Sequence, residues 1–270
     1  MYHLGKIVGT ICLATFSGYV FSNTIQDIPA VDSVSVEKPD NWKFGIGAAV
    51  FNIPEYEGAE DSEAIGLPYI NVNYKSNLTF NFFNGLDYNL VNTRSFTAGI
   101  GLGIDFGREE DNSDHLEGLG DIDLTIEPKF YSAYRVGKLT SKLTLSTDAG
   151  GDGHDGTTLD LDISYLMALS QSSFFIPSLS VTYGDDDFMQ SYFGVTAEQS
   201  TNSAVNLSQY EAGVSVKSTS VNLVYVKNLT ESWSLIGIAQ FKSLMGDAKD
   251  SPIVQENNQS LIGGIVSYNF

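Results

Sequence analysis

The chain of 270 residues carries 33 acidic against 14 basic residues, a formal charge of −19. That balance excludes nucleic acid and anionic membrane surfaces as partners, since both demand a basic footprint. Hydrophobic content is 42% and charged content 17%, with 16 Phe and 14 Tyr, so this is no disordered acidic tail. Residues 1–22 have the layout of a secretory signal: Lys6, an apolar run Ile7–Val20, then Val20-Phe21-Ser22 as the cleavage tripeptide. The run is shorter than the ~20 residues a membrane-spanning helix needs, and none of that length recurs downstream. Cys12 leaves with the leader, and with it disulfides, thiolate nucleophiles and Cys-zinc sites.

Residues 23–41, with Pro29, Pro39 and scattered acids, read as a flexible lead-in. From residue 42 onward the hydrophobic pattern has period two. Phe96, Ala98, Ile100, Leu102, Ile104 and Phe106 alternate with Thr97, Gly99, Gly101, Gly103 and Asp105. Ile122, Leu124, Ile126, Pro128 and Phe130 alternate with Asp121, Asp123, Thr125, Glu127 and Lys129, and Leu159, Leu161 and Ile163 with Asp160, Asp162 and Ser164. Similar runs at 44–52, 66–75, 78–90, 138–148, 174–183, 210–217, 219–228, 232–242 and 260–270 bring the count to about twelve, within a range of ten to fourteen.

Many of these strands approach ten residues, the ~9–11 a tilted strand needs to cross a bilayer, whereas soluble sandwiches average ~5–6. Residues 42–270 are therefore expected to form an all-β, antiparallel transmembrane β-barrel in contact with outer-membrane lipids. Its apolar face meets lipid, and Asp121, Asp123, Glu127, Asp160 and Asp162 line a polar lumen. Trp42, Tyr69, Tyr74, Tyr88, Tyr134, Trp233 and Tyr268 are expected in interfacial girdles. Ile262, Gly264, Val266, Tyr268 and Phe270 alternate to a terminal aromatic, which resembles the signal outer-membrane barrels present to their assembly machinery.

The acids between strands, such as Glu55, Glu57, Glu60, Asp61 and Glu63, offer hard oxygen ligands for calcium, but read more simply as solvated loops. Gly150-Gly151-Asp152-Gly153-His154-Asp155 begins like a calcium-binding nonapeptide, yet stands alone where that architecture stacks several copies. His115 and His154 lack any accompanying nucleophile motif, so no catalytic residue, cofactor or metal site is assigned.

Further blocks are Pro54-Glu55-Tyr56-Glu57-Gly58, Gly99 to Arg108, Leu119-Gly120-Asp121-Ile122-Asp123, Asp186 to Thr196 and Leu244 to Val254. Taken in order from Trp42 to Phe270, they resemble the MltA-interacting protein (MipA/OmpV) family of Gram-negative outer-membrane proteins. The resemblance implies a non-enzymatic barrel acting as a scaffold between a murein lytic transglycosylase and a murein synthase, with no catalytic residues to carry over. The alternatives from the residues themselves are a small solute or cation-preferring channel and, behind it, a soluble or barrel hydrolase that would use His115 or His154.

With both termini periplasmic, twelve strands put 53–64 and 246–258 outside and 107–120, 149–156 and 184–208 inside, although periplasmic turns are normally short. A hairpin turn at Asn84-Gly85, splitting 78–90, would remove the conflict. If internal, the segment of Asp185, Asp186, Asp187, Phe188, Met189, Tyr192 and Phe193 is a candidate plug or partner-binding loop.

Overall fold

In a computed structural model that describes residues 42–75, 77–151 and 153–270, the alternating segments close into a ring. The expected leader and lead-in lie outside the described residues. The strand segments are β1 (Trp42–Pro54), β2 (Ser62–Tyr74), β3 (Leu78–Asn81), β4 (Gly85–Asn92), β5 (Phe96–Asp105), β6 (Thr125–Val136), β7 (Leu139–Thr147), β8 (Thr157–Tyr165), β9 (Met167–Ser170), β10 (Ser173–Gly184), β11 (Ser215–Asn228), β12 (Trp233–Leu244) and β13 (Asn258–Asn269). β8 and β9 both pair with β10 and are successive parts of one wall strand, which makes twelve around the ring. The seam is antiparallel, from Gly45↔Asn269 to Asn52↔Ile262, and Phe270 N–H adds a bond of 2.9 Å to the Phe44 carbonyl.

Alternation decides what faces where. In β6, Thr125, Glu127, Lys129 and Tyr131 are buried inside while Ile126 and Phe130 are half exposed outside. The same holds in β8, with Asp160, Asp162 and Ser164 inward and Leu159, Leu161 and Ile163 outward. The outer wall is thus an apolar belt far larger than a water-facing surface carries. Trp42, Tyr74, Trp233, Tyr268 and Phe270 line one rim across the β12-β13-β1-β2 sector, with Trp42 4.5 Å from Tyr74 and Trp233 5.1 Å from Tyr268. Tyr69, expected in a girdle, points inward and is buried instead.

Prolines occur where pairing lapses, as a residue without an N–H requires. Pro68 pairs with Ala48 on one flank, while on the other β3 reaches only Asn71. Pro128 pairs with Leu102 on one flank, and β7 begins its pairing at Lys129 on the other. Pro177 adjoins the break at Leu166 between β8 and β9.

Two expected strands are corrected. The run 78–90 is a hairpin, as the Asn84-Gly85 alternative had it, turning at Phe82-Phe83-Asn84. Asn81 holds the turn by accepting from Asn84 N–H and, through its side chain, from Phe83 N–H, each at 3.0 Å, and Gly85 follows with φ of 77°. The run 210–217 is not a separate strand. Ala212 and Gly213 give their N–H groups to the side chains of Gln190 and Asp247, and β11 runs unbroken from Ser215 through the expected 219–228 strand.

The two errors cancel in the count but not in the topology. The long connections 55–61, 106–124, 148–156, 185–214 and 245–257 all lie at one end, and the short turns 75–77, 93–95, 137–138, 171–172 and 229–232 at the other. The expectation that 107–120, 149–156 and 184–208 face opposite 53–64 is therefore overturned.

Candidate functional site

The long loops fold over their end of the ring and interlock. Gly58, with φ of 109°, turns 55–61 back so that its carbonyl accepts from Gln255 and Glu256 N–H at 2.8 and 3.0 Å. Beside it Tyr56 is buried, stacks on His115 and donates to the Ile253 carbonyl at 3.0 Å, and burial pushes its hydroxyl pKa well up. Glu57 drops from this loop into the barrel. Its two oxygens take Lys242 of β12 at 2.8 Å and Lys217 of β11 at 3.1 Å, with all three side chains buried. Burial alone would raise the Glu57 carboxyl, but the two lysines hold it at about 2.

Helix α1 (Asp186–Phe193) caps the same end, with Asp185 accepting from Phe188 N–H at 3.0 Å. Phe188 lies 5.0 Å beneath the Lys217 ammonium and 4.9 Å from the His154 ring. Arg108 is buried and donates to the Tyr192 carbonyl at 2.8 Å, while Tyr192 Oη donates to Asp105 at 2.7 Å. The aromatics and methionine proposed for partner contact, Phe188, Met189, Tyr192 and Phe193, are therefore all in the loop core, and only Asp186 and Asp187 of that segment are exposed. The loop acids act on backbone: Glu110 accepts from Gly118 and Gly120 N–H, each at 2.9 Å, and Asp148 from Gly150 and Asp155 N–H at 2.8 and 2.9 Å.

Of the proposed lumen acids, Glu127, Asp160 and Asp162 are buried on the inner face. Asp121 and Asp123 are exposed in the loop before β6, because the ladder with β5 begins only at Thr125. Lysines accompany the inner acids. Lys129 pairs with Asp87 at 2.8 Å, Lys142 lies directly across from Asp162, and Lys217 and Lys242 hold Glu57. The sequence reading placed Lys129 on this face with Glu127 but missed Lys142, Lys217 and Lys242, although the phase of Lys142 and Lys242 was legible in the alternation of β7 and β12.

Asp105, Glu127 and His154 bring potential ligand atoms within 4.8 Å of one another. His154 is fully buried, and Gly156 N–H points at its Nδ1 from 3.0 Å, so the ring proton sits on Nε2, which donates to Glu127 at 3.2 Å. A ring in that tautomer offers no lone pair to a metal at Nε2. His115, the other histidine raised by the sequence, faces the Pro252 carbonyl at 3.2 Å.

A closed ring of twelve antiparallel strands, apolar outside and charged within, defines an outer-membrane β-barrel. Among solved structures it is similar to an outer membrane channel from Pseudomonas putida F1 (TM-score 0.42, 12% identity, covering 87% of this chain and 100% of that one). It is also similar to the KdgM porin (TM-score 0.38, 8% identity, 85% and 99% covered). Residues 46–270 match the model of the MltA-interacting protein MipA family, and the chain belongs to that family. Curated relatives are the outer membrane protein OmpV of Vibrio cholerae serotype O1 (24% identical, 72% of each chain) and Omp26La of Vibrio anguillarum (24% identical, 72% of this chain and 71% of the relative). Outer-membrane barrels keep their periplasmic turns short, so the short-turn end faces the periplasm and the capped end faces out.

Proposed function

We propose that the protein is a small-solute channel of the outer membrane, non-enzymatic and closed at its outer mouth by its own loops. The observation that carries this is the Glu57 clamp: a loop carboxylate held inside the ring by lysines from two wall strands. Breaking it frees 55–61, and with it the contacts to 245–257. Because inner lysines accompany the inner acids, the channel selects weakly between small ions rather than preferring cations. In planar bilayers the wild type is expected to be mostly closed, and Glu57→Ala to open more often. Silence of both at every voltage overturns the reading.

A second reading rests on the family's own description as MltA-interacting. It makes the barrel a scaffold between a murein lytic transglycosylase and a murein synthase. The 185–214 loop does not suit that role, since its aromatics are buried and it lies on the outer side. The docking surface would instead be the short periplasmic turns. Co-purification of a transglycosylase, lost on replacing 229–232 with Gly-Ser and kept on deleting 197–202, supports it; the reverse pattern overturns it. In either reading the Phe270 strand is the part offered to the barrel assembly machinery.

A further inference from the structure

The wall has a gap. β3 and β4 run four and eight residues, between β2 with thirteen and β5 with ten. β2 pairs with β3 only from Asn71 to Tyr74. Beyond that, the hydrogen bond from Phe82 N–H to the Ile70 carbonyl at 3.0 Å is the last on this flank among the described residues. Residues 62–69 therefore present an unpaired backbone edge of roughly 25 Å, at about 3.3 Å per residue. Part of this edge lies at the level of the lipid belt, since Gly66 is register partner to Val50 and Pro68 to Ala48, and Val50 is 61% exposed on the outer face. Open sheet edges are not tolerated against hydrocarbon unless they are buried in protein or line a water-filled cavity. Gly66 faces outward at the lip of the gap, where, as at other lipid-facing positions, a Cβ built on it meets no atom within 4 Å.

What lies behind the gap is unusual for an outer-membrane barrel, whose interior is ordinarily polar. A single buried apolar cluster runs from Phe174, Val226 and Ile236 near the periplasmic end to Phe51, Leu67 and Phe83 beside the gap. Phe82 is half-buried at its lip, 5.5 Å from Phe83 and edge-on to it.

We infer that the gap between β2 and β5, above the β3–β4 turn, is a lateral portal through which a small apolar solute passes between the barrel interior and the surrounding lipid. The inference rests on the channel reading and names its solute class and exit. The outer mouth is capped and the apolar cluster is packed, so an apolar molecule held against its Phe82–Phe83 edge leaves sideways, where the wall is missing.

The test uses Phe83→Trp in a Trp42→Phe, Trp233→Phe background, in liposomes, with 1,4-dibromobenzene, a small uncharged quencher, as the probe. Phe82→Trp serves instead if Phe83→Trp fails to give the heat-modifiable folded band. Saturable quenching is expected, weakened about tenfold in half-saturating concentration by Gly66→Phe. Gly237→Phe, on the outer face of β12 with equally open space, is expected to leave it unchanged. Equal quenching in the Gly66→Phe variant overturns the portal. Absence of saturable quenching overturns the apolar solute. Neither result touches the channel itself, which is decided by the ionic conductance of Glu57→Ala.

Discussion

The two sides of the barrel interior are built from one alternation and filled in opposite ways. From β10 through β13 to β2 the inward positions include an aliphatic and aromatic set, Phe174, Ile176, Val224, Ile236, Ile265 and Phe51, that forms one buried cluster, with Lys217, Asn222, Gln240 and Lys242 set beside it toward the capped end. From β4 to β8 the inward positions are ionic or hydroxylic: Asp87, Lys129, Thr144, Asp160 and Asp162. The lesson is that the period of a strand fixes which residues face in, while their chemistry decides whether that space is a packed core or a charged lining. On the apolar side stability comes from removing surface from water. On the ionic side it depends on every charge keeping its partner.

The largest expected effect tests the apolar side. Phe51→Ala removes a fully buried ring that packs edge-on against Phe83, 5.7 Å away, and is expected to cost about 3–5 kcal/mol in urea unfolding. A cost under about 1 kcal/mol would show that this side is loosely filled, and the contrast between the sides would collapse.

The ionic side breaks differently. Lys129→Met alone leaves Asp87 buried beside an apolar neighbour and is expected to cost about 3 kcal/mol, while Lys129→Met with Asp87→Leu restores most of it. Equal losses in the single and double variants would mean that the pair is not what the ionic side depends on.

The smallest effect is a pH dependence confined to one loop. The Glu57 carboxyl is depressed from an ordinary 4.5 to about 2, so its clamp contributes fully above about pH 4.5 and is lost as pH falls toward 2. Channel openings should rise over that window in the wild type, and Glu57→Gln should flatten the profile. Opening that rises with pH instead would reverse the sign and remove the clamp from the gate.

The ring and its outer belt were legible because lipid imposes a strict period: Ile126, Phe130, Leu161 and Ile163 could face nowhere else. The strand count came out right through two opposite errors. The break in 78–90 was signalled by Asn84-Gly85 and not by hydrophobicity, since Phe83 turns into the interior and Phe82 is half-buried beside it. Tyr210 and Ala212 pack against the α1 cluster while Val214 is exposed and Val216 already belongs to β11, so one alternation runs across a loop into a strand with no local mark between them. The Glu57 clamp joins residues 160 and 185 positions apart, and single-sequence periodicity holds no trace of such a pairing. Of the inner lysines Lys129 was read in phase, whereas Lys142, Lys217 and Lys242 were passed over because the overall charge drew attention to the acids.

The seam between β1 and β13 has a kinetic consequence. Gly45 pairs with Asn269 and Phe44 accepts from Phe270, so the ring cannot close until its last strand reaches its first. Contacts of such long sequence separation form slowly, since loop-closure entropy is lost before they are gained. Until then both edges of an incomplete sheet stand open to pairing with other chains. Mutual repulsion among acidic chains keeps those edges apart during the wait. The excess of acid that first set this sequence apart therefore acts before the barrel exists, on the time between arrival of the chain and closure of the seam.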